Sequence, residues 1–247
     1  TGFSSNRALG IIILLDKNPP GGQGMTRKII WGSIILIILL AAGGGGFFFL
    51  KQPDPQKTVT LGLENIRTAD SFAYSITQEQ YVEGQKRLLT KINGYKSGEN
   101  IHVQGQLAGS KVEMIKIKDI LYNKDPFTNE WIKFNDITIA QKVFLVELDP
   151  LSTLQLKEIG EVVSKGNAEV NGKNCRIYSL KPSVQNQIIE RFWSDFEYTL
   201  YIAKAAKTVV KTEVTAKNKE TGEAMAITIE FRDIGRKISI QPPEEVN

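Results

Sequence analysis

The chain is poor in the residues that most catalytic and metal sites require. It contains one histidine and one cysteine in 247 residues. One histidine, His102, is too few for a relay of histidine acid–base groups or for a zinc site with several histidine ligands. Cys175 has no second cysteine with which to form a disulfide inside the chain, and the sequence shows no basic partner to activate its thiol. We therefore predict that the protein is not an enzyme, holds no metal and requires no cofactor.

Asp195 and Glu197 are the remaining candidates for catalysis. Glycoside hydrolysis requires two carboxyl groups about 5 to 9 Å apart, and these residues are close enough in sequence to supply them. Acidic side chains are frequent in this chain, however, and most carboxylates in proteins are solvated. We interpret both residues as surface charges.

The excess of positive charge is confined to the beginning of the chain. The formal net charge is +4, and residues 1–52 account for all of it, with five basic residues and one acidic residue. The remaining 195 residues contain 26 of each sign. A nucleic-acid-binding domain concentrates basic charge on the part that folds, because phosphate neutralisation supplies much of its affinity. The sequence therefore predicts no nucleic-acid partner.

Residues 29–50 form a run of 22 residues without a charge, preceded by Arg27 and Lys28 and followed by Lys51. As a helix this run is about 33 Å long, enough to cross a hydrocarbon core of about 30 Å. Because cytoplasmic flanks are rich in Lys and Arg, the N-terminus is expected in the cytoplasm and the bulk of the chain outside it. We predict a single-pass protein of the cell membrane.

The same run also has the features of a cleavable secretory signal, since small residues follow its apolar part at positions 41–43. Cleavage there would make the protein secreted. The three phenylalanines at positions 47–49 favour retention as an anchor, and the run contains no cysteine for lipidation. Residues 1–28 are then a cytoplasmic arm, or residues 1–24 are an extension upstream of a natural start at Met25, and residues 51–57 are a linker.

The outer domain, residues 58–247, shows the alternation of apolar and polar residues that indicates antiparallel strands. Turn sequences such as Asn93-Gly94, Asp125-Pro126 and Asn171-Gly172 separate these strands. Helices are predicted at three places, from Val59 to Ile66, over residues 154–166 and over residues 188–193. A last strand is predicted at residues 237–240.

Each predicted strand is apolar on one face, so the sheet needs a cover on that side. With two or three helices available, we predict an α+β fold in which a strongly curved antiparallel sheet forms an incomplete β-barrel plugged by the helices, preceded by one transmembrane helix. Space left between sheet and helices would be a hydrophobic cavity. The candidate cavity residues are Phe72, Tyr74, Ile76, Ile92, Ile101, Val103, Ile115, Ile117 and Trp131.

The order of these parts resembles a known group of envelope proteins. The parts are the opening helix with Leu63, Asn65 and Ile66, the Ser71-Phe72 strand, the Asp125-Pro126 turn before Trp131, the Asp149-Pro150-Leu151 segment, the strand from Gly172 to Tyr178, and residues 238–242. Together they are similar to the LolA-like carriers and the LppX/LprG-type lipoproteins. The resemblance implies a curved sheet packed on helices, with a cavity for acyl chains and no catalysis. The chain departs from the lipoproteins because it lacks a lipidation cysteine.

These observations predict a membrane-anchored extracytoplasmic protein that binds a lipid or another hydrophobic ligand without covalent chemistry. The expected partners are the membrane, an acyl-chain ligand and a protein of the cell envelope. The alternative is an interaction or sensory module, in which the same fold has a filled core and recognises another protein.

Overall fold

An open antiparallel sheet of eleven strands makes up most of the protein. The computed structural model describes residues 53–184 and 187–244, which belong to one compact unit, Pro53–Asn247. The predicted cytoplasmic arm and the predicted membrane run, residues 29–50, lie outside the described residues. Within the described ranges, no helix combines the length and the apolar character needed to cross a bilayer.

The regular elements alternate between long strands and a few short helices. In chain order they are α1 (Pro55–Arg67), β1 (Ser71–Val82), β2 (Gln85–Ser97), β3 (Asn100–Leu107), β4 (Ser110–Ile117), β5 (Ile120–Lys124), β6 (Trp131–Phe134), α2 (Ile139–Glu147), a 3-10 helix (Ser152–Leu154), β7 (Leu156–Glu158), β8 (Val162–Val170), β9 (Lys173–Leu180), β10 (Ser183–Val184), α3 (Gln187–Phe192), β11 (Trp193–Ala203), β12 (Thr208–Asn218) and β13 (Ala224–Arg232).

The strand order shows that the sheet does not close into a barrel. It runs β6-β5-β4-β3-β2-β1-β13-β12-β11-β9-β8, while β7 and β10 form a separate pair. Every pairing is antiparallel, and within the described residues β6 and β8 are the two edges of the large sheet. The predicted large, open antiparallel sheet with few helices is confirmed.

Irregular pairings bend the long strands. The register shifts at Gln78/Glu79 between β1 and β2, at Tyr201/Ile202 between β11 and β12, and at Ser164/Gly166 between β8 and β9. An extra residue in one strand of a pair bends that strand and increases its twist. The sheet therefore has an inner face, which contacts the helices, and an outer face.

Helix α1 begins and packs as its sequence predicts. The Asp54 carboxylate accepts the backbone N–H of Gln56 at 2.9 Å, and Pro55 occupies the first turn, where a missing N–H costs nothing. The helix buries Val59, Leu63 and Ile66 on the inner face.

The segment between α2 and β7 covers the middle of the inner face. It buries Leu148, Leu151 and Leu154. The Tyr74 hydroxyl of β1 donates to the Leu148 carbonyl at 3.1 Å, and the Tyr198 hydroxyl of β11 donates to the Thr153 carbonyl at 3.0 Å. Both tyrosines are buried, which raises the pKa of each phenol and keeps the donating proton in place.

The helix predicted over residues 154–166 is wrong. The chain there contains only a 3-10 turn ending at Leu154, followed by β7 and by the edge strand β8. Val162 and Val163 lie in β8, and the pairing of that strand with β9 overrides the helical spacing. Gly166, which was expected to end a helix, has φ +100 at a bulge in β8.

Three further elements differ from the sequence prediction. Helix α2 was not predicted, because its sequence lacks the polar face that marks an amphipathic helix. Helix α3 ends at Phe192, so Trp193 belongs to β11 rather than to the helix. Residues 237–240 form no strand: the last strand in the chain is β13, and both of its sides are already paired, with β1 and β12.

Candidate functional site

The strand register divides the predicted cavity residues between the two faces of the sheet. Six of them lie on the inner face: Phe72, Tyr74, Ile76, Ile92, Ile101 and Val103. The other three lie on the outer face, because Ile115 pairs with His102, Ile117 continues the parity of Ile115, and Trp131 pairs with Lys124. These three residues therefore do not line the space between sheet and helices.

The centre of the inner face is filled by the protein's own side chains. Phe72 is fully buried between Phe231, with ring centroids 5.4 Å apart, and Tyr74, with centroids 6.0 Å apart. Both pairs meet edge to face, the geometry that aromatic quadrupoles favour. Together with α1 and the leucines of the 148–154 segment, these rings leave the predicted position without room for a guest.

An open groove remains at one end of the inner face, bordered by residues of α2, β3 and β4. Its volume is about 560 Å³, within the range of ligand-binding clefts. We call it the edge groove; its walls include Ile101, Lys116, Ile137, Lys142, Leu145 and Val146. Of the predicted cavity residues, Ile101 alone is among the residues that line it.

The edge groove combines an apolar wall with a charged rim. Leu145 packs on the core from α2 and Ile101 packs on it from β3. The rim carries lysines and aspartates, and Lys116 donates from its Nζ to the Glu99 carbonyl at 3.2 Å. Such a site can hold an alkyl chain against its walls while a polar head group remains at the rim.

Sequence reasoning missed the α2 residues of the groove, although the sequence carried a signal for them. Helix α2 has a capping box, in which Thr138 accepts the Gln141 N–H and the Gln141 side chain accepts the Thr138 N–H. In the helix that begins after this cap, Ile139 is 82% exposed and Val146 is 52% exposed. A capped segment with so few polar residues indicates a helix that is apolar on more than one side.

The outer face carries a polar groove of about 530 Å³ along β2 to β5. Its walls include Lys91, Lys111 and Glu113. The Glu113 carboxylate lies 3.1 Å from Lys124 Nζ and 3.3 Å from His102 Nε2. Lys124 and Glu113 satisfy one another as opposite charges, and His102 faces outward, as its position in the strand predicts.

The acidic residues Asp195 and Glu197 are placed as surface charges. Asp195 pairs with Lys217 across 3.4 Å, and Glu197 accepts the Ser179 hydroxyl at 3.2 Å. Among the described residues, no group of three or more histidines, cysteines or acidic residues is arranged to hold a metal ion.

Cys175 is buried in a small second core with Ala203 and Val210. Burial is the main cause that raises the pKa of its thiol, because a thiolate there would lose its hydration. Its Sγ lies 3.2 Å from the Lys173 carbonyl, which it can reach as a weak donor.

We expect Cys175 to be inert in the folded chain. A disulfide reagent such as DTNB should react about 100-fold more slowly with the native protein than with the protein in guanidinium chloride, since modification requires opening of the fold. The rate at which DTNB releases its coloured thionitrobenzoate at pH 8 measures the reactivity of Cys175. Rapid, stoichiometric labelling of the native protein would contradict the burial of the thiol.

The geometry of the sheet agrees with solved structures, although no family model and no curated protein matches the sequence. LprF from Mycobacterium bovis covers 78% of this chain and 99% of its own length, with a TM-score of 0.53 and 13% identity. Lipoprotein LppX from Mycobacterium tuberculosis covers 76% of this chain and 100% of its own, with a TM-score of 0.52 and 11% identity. The predicted LolA-like, LppX/LprG-type fold is confirmed. At these identities the likeness concerns the fold alone.

Proposed function

We propose that the protein binds a hydrophobic ligand with one alkyl chain in the edge groove, without covalent chemistry. The observation that carries this proposal is a groove of about 560 Å³ with an apolar wall, which remains open between α2 and the inner face. Burying each methylene contributes about 0.8 kcal/mol, so about ten methylenes outweigh much of the entropic cost of binding. The charged rim then selects ligands with a polar head group.

We further propose that residues 29–50 anchor this domain on the outer side of the cell membrane. The uncharged run and the basic residues before it support this arrangement. An anchored binding domain takes up ligand from the membrane beside it and does not shuttle freely. N-terminal sequencing of the mature protein tests the anchor, and a start at Gly43 or Gly44 would contradict it.

The ligand proposal is tested on the full chain purified from membranes. Native mass spectrometry should detect a co-purified lipid at about one per chain, and a fluorescent fatty acid should bind saturably and be displaced by the unlabelled acid. We expect a dissociation constant of about 1 µM, because the entropy lost on binding offsets part of the free energy gained by burying the alkyl chain. The absence of both lipid and saturable probe binding would overturn the proposal.

The second candidate is a protein-interaction or sensory module. Two observations favour it: the centre of the inner face is filled by aromatic side chains, and Phe127 and Ile139 are 91% and 82% exposed. Large exposed apolar side chains are typical of contact sites for other proteins. Cross-linking of the full chain to one stoichiometric envelope protein, with no lipid present, would favour this candidate.

A further inference from the structure

A third cavity lies at the beginning of α1, formed by the N-terminal turns of that helix together with β9, the end of β11 and the turn between β11 and β12. Its volume is about 260 Å³, about half that of the edge groove. We call it the basic pocket; its walls include Lys57, Leu61, Arg176, Ile202, Lys204 and Lys207.

The basic pocket has a clear excess of positive charge. Its four basic side chains come from α1, β9 and the β11–β12 turn, which are distant in sequence. The single acidic residue of the pocket, Asp54, is engaged in capping α1. Among the residues that the structure describes, none of the four cations forms an ion pair with a carboxylate, whereas Lys157 and Lys124 elsewhere do. The pocket is therefore suited to an anionic group.

Apolar side chains form most of the rest of the pocket wall. Leu61 supplies the accessible apolar surface, since it is 40% exposed although it belongs to a helix with a well-packed inner side, whereas Ile202 is buried. An inorganic anion gains nothing from these side chains. An amphiphile, with a charged head group and a hydrocarbon part, makes use of both kinds of surface.

Backbone hydrogen bonds hold the cationic turn in place. The Lys207 N–H donates to the Ala203 carbonyl at 2.8 Å, and the Asn65 side-chain amide of α1 donates to the Lys207 carbonyl at 2.7 Å. On the other side of the turn, the Lys204 N–H donates to the Asn174 carbonyl at 2.9 Å. Because the turn is tied to both α1 and β9, the backbone that carries Lys204 and Lys207 is in place before any ligand arrives, which lowers the cost of binding.

The position of the pocket along the chain indicates the occupant. Pro53 and Asp54 are themselves part of its wall, and only Lys51 and Gln52 separate Pro53 in sequence from the apolar run of residues 29–50. Basic residues within a few positions of a membrane segment are attracted to anionic lipids over a Debye length. We propose that the basic pocket binds the head group of an anionic lipid at the bilayer surface. This inference rests on the membrane anchorage proposed above.

The lipid in the basic pocket differs in role from the ligand in the edge groove. The smaller pocket has room for a head group and the first part of a chain but not for a whole lipid. Binding there orients the domain on the membrane and leaves the edge groove, whose lining shares no residue with the basic pocket, free for its own ligand.

The test uses the full chain in nanodiscs of phosphatidylcholine, with or without 30% phosphatidylglycerol. Hydrogen–deuterium exchange should slow at least about fivefold at residues 55–61 and 203–207 when the anionic lipid is present, the effect of about one well-placed charge at a membrane surface. The protection should disappear in 0.5 M salt, because screening shortens the range of the attraction.

A charge-matched pair of variants shows where the effect arises. The triple variant Lys57→Gln, Lys204→Gln, Lys207→Gln should lose the lipid-dependent protection, and the control Lys91→Gln, Lys111→Gln, Lys133→Gln should keep it, although both remove three charges. Unfolding midpoints that match the parent chain confirm that each variant is folded.

The outcomes separate this inference from the anchorage. A chain that enters both nanodiscs but shows equal exchange in them overturns the basic pocket alone. Equal loss of protection in both triple variants overturns it as well, because the attraction would then be a property of the overall charge. A full chain that enters neither nanodisc contradicts the anchorage and overturns the basic pocket with it.

Discussion

Gly94→Ala is expected to destabilise the folded domain by about 3 to 5 kcal/mol, because the fully buried Tyr74 ring occupies the space that a Cβ would need. A Cβ at position 94 would lie 2.5 Å from both Cε1 and Oη of that ring. Tyr74 cannot move aside without losing its packing on Phe72 and its hydrogen bond to the Leu148 carbonyl. A domain of ordinary stability would lose a large part of its free energy of unfolding.

Chemical denaturation of the full chain, followed by near-ultraviolet circular dichroism, measures this effect. Gly98→Asn is the matched control, since nothing lies within 4 Å of a Cβ at that position and asparagine tolerates its φ of +58. Combining Gly94→Ala with Tyr74→Leu should recover part of the loss, because the smaller side chain leaves room for the methyl group. A Gly94→Ala protein as stable as the parent would contradict the close packing at the centre of the inner face.

Ile101→Trp is expected to weaken binding of a fatty-acid probe by about 50-fold, provided that the edge groove is the binding site. The indole would fill the groove from the β3 side and displace about three methylenes of the ligand from its walls. Val146→Asp approaches the same groove from α2, where a carboxylate next to the alkyl chain would lose hydration on binding. Because Val146 is 52% exposed in the free protein, this second variant should fold normally.

The control for these variants is Leu88→Trp, which adds the same side chain at an exposed position of β2 that does not line the edge groove. Fluorescence titration with the labelled fatty acid compares all three variants with the parent chain. If Ile101→Trp and Val146→Asp are folded and bind the probe as the parent does, the ligand does not occupy the edge groove. Equal weakening by Leu88→Trp would indicate adsorption of the probe to exposed apolar surface.

The local sequence pattern was sufficient to predict those strands, turns and helices whose formation depends mainly on their own residues. The alternation around Phe72 predicts β1, the Asn171-Gly172 turn predicts the β8–β9 hairpin, and the spacing of Val59 and Leu63 predicts α1. The pattern failed where the same residues can form either of two structures. Residues 162–166 fit a helix or an edge strand, and pairing with β9 decides for the strand.

The sequence predicted a hydrophobic space between the sheet and the helices, but it did not predict which residues line the groove. The alternation within β3 correctly predicted that Ile101 faces inward. Ile115 and Trp131 were assigned to the wrong face, because after each turn the sequence alone does not show whether odd- or even-numbered residues face inward. Helix α2, whose side chains complete the edge groove, has no polar face in its sequence and so gave no amphipathic signal.

The sequence by itself determined the class of the protein: a strand-rich domain with one histidine and one cysteine, no net charge over residues 53–247, and an uncharged run before it. These properties depend on composition and on neighbours in the chain. Only the tertiary structure decided where space remains. The centre of the inner face is filled by Phe72, Tyr74 and Phe231, while the groove stays open between residues of α2, β3 and β4. Close packing depends on side chains that meet from distant parts of the chain, and no local pattern records which of them leave a gap.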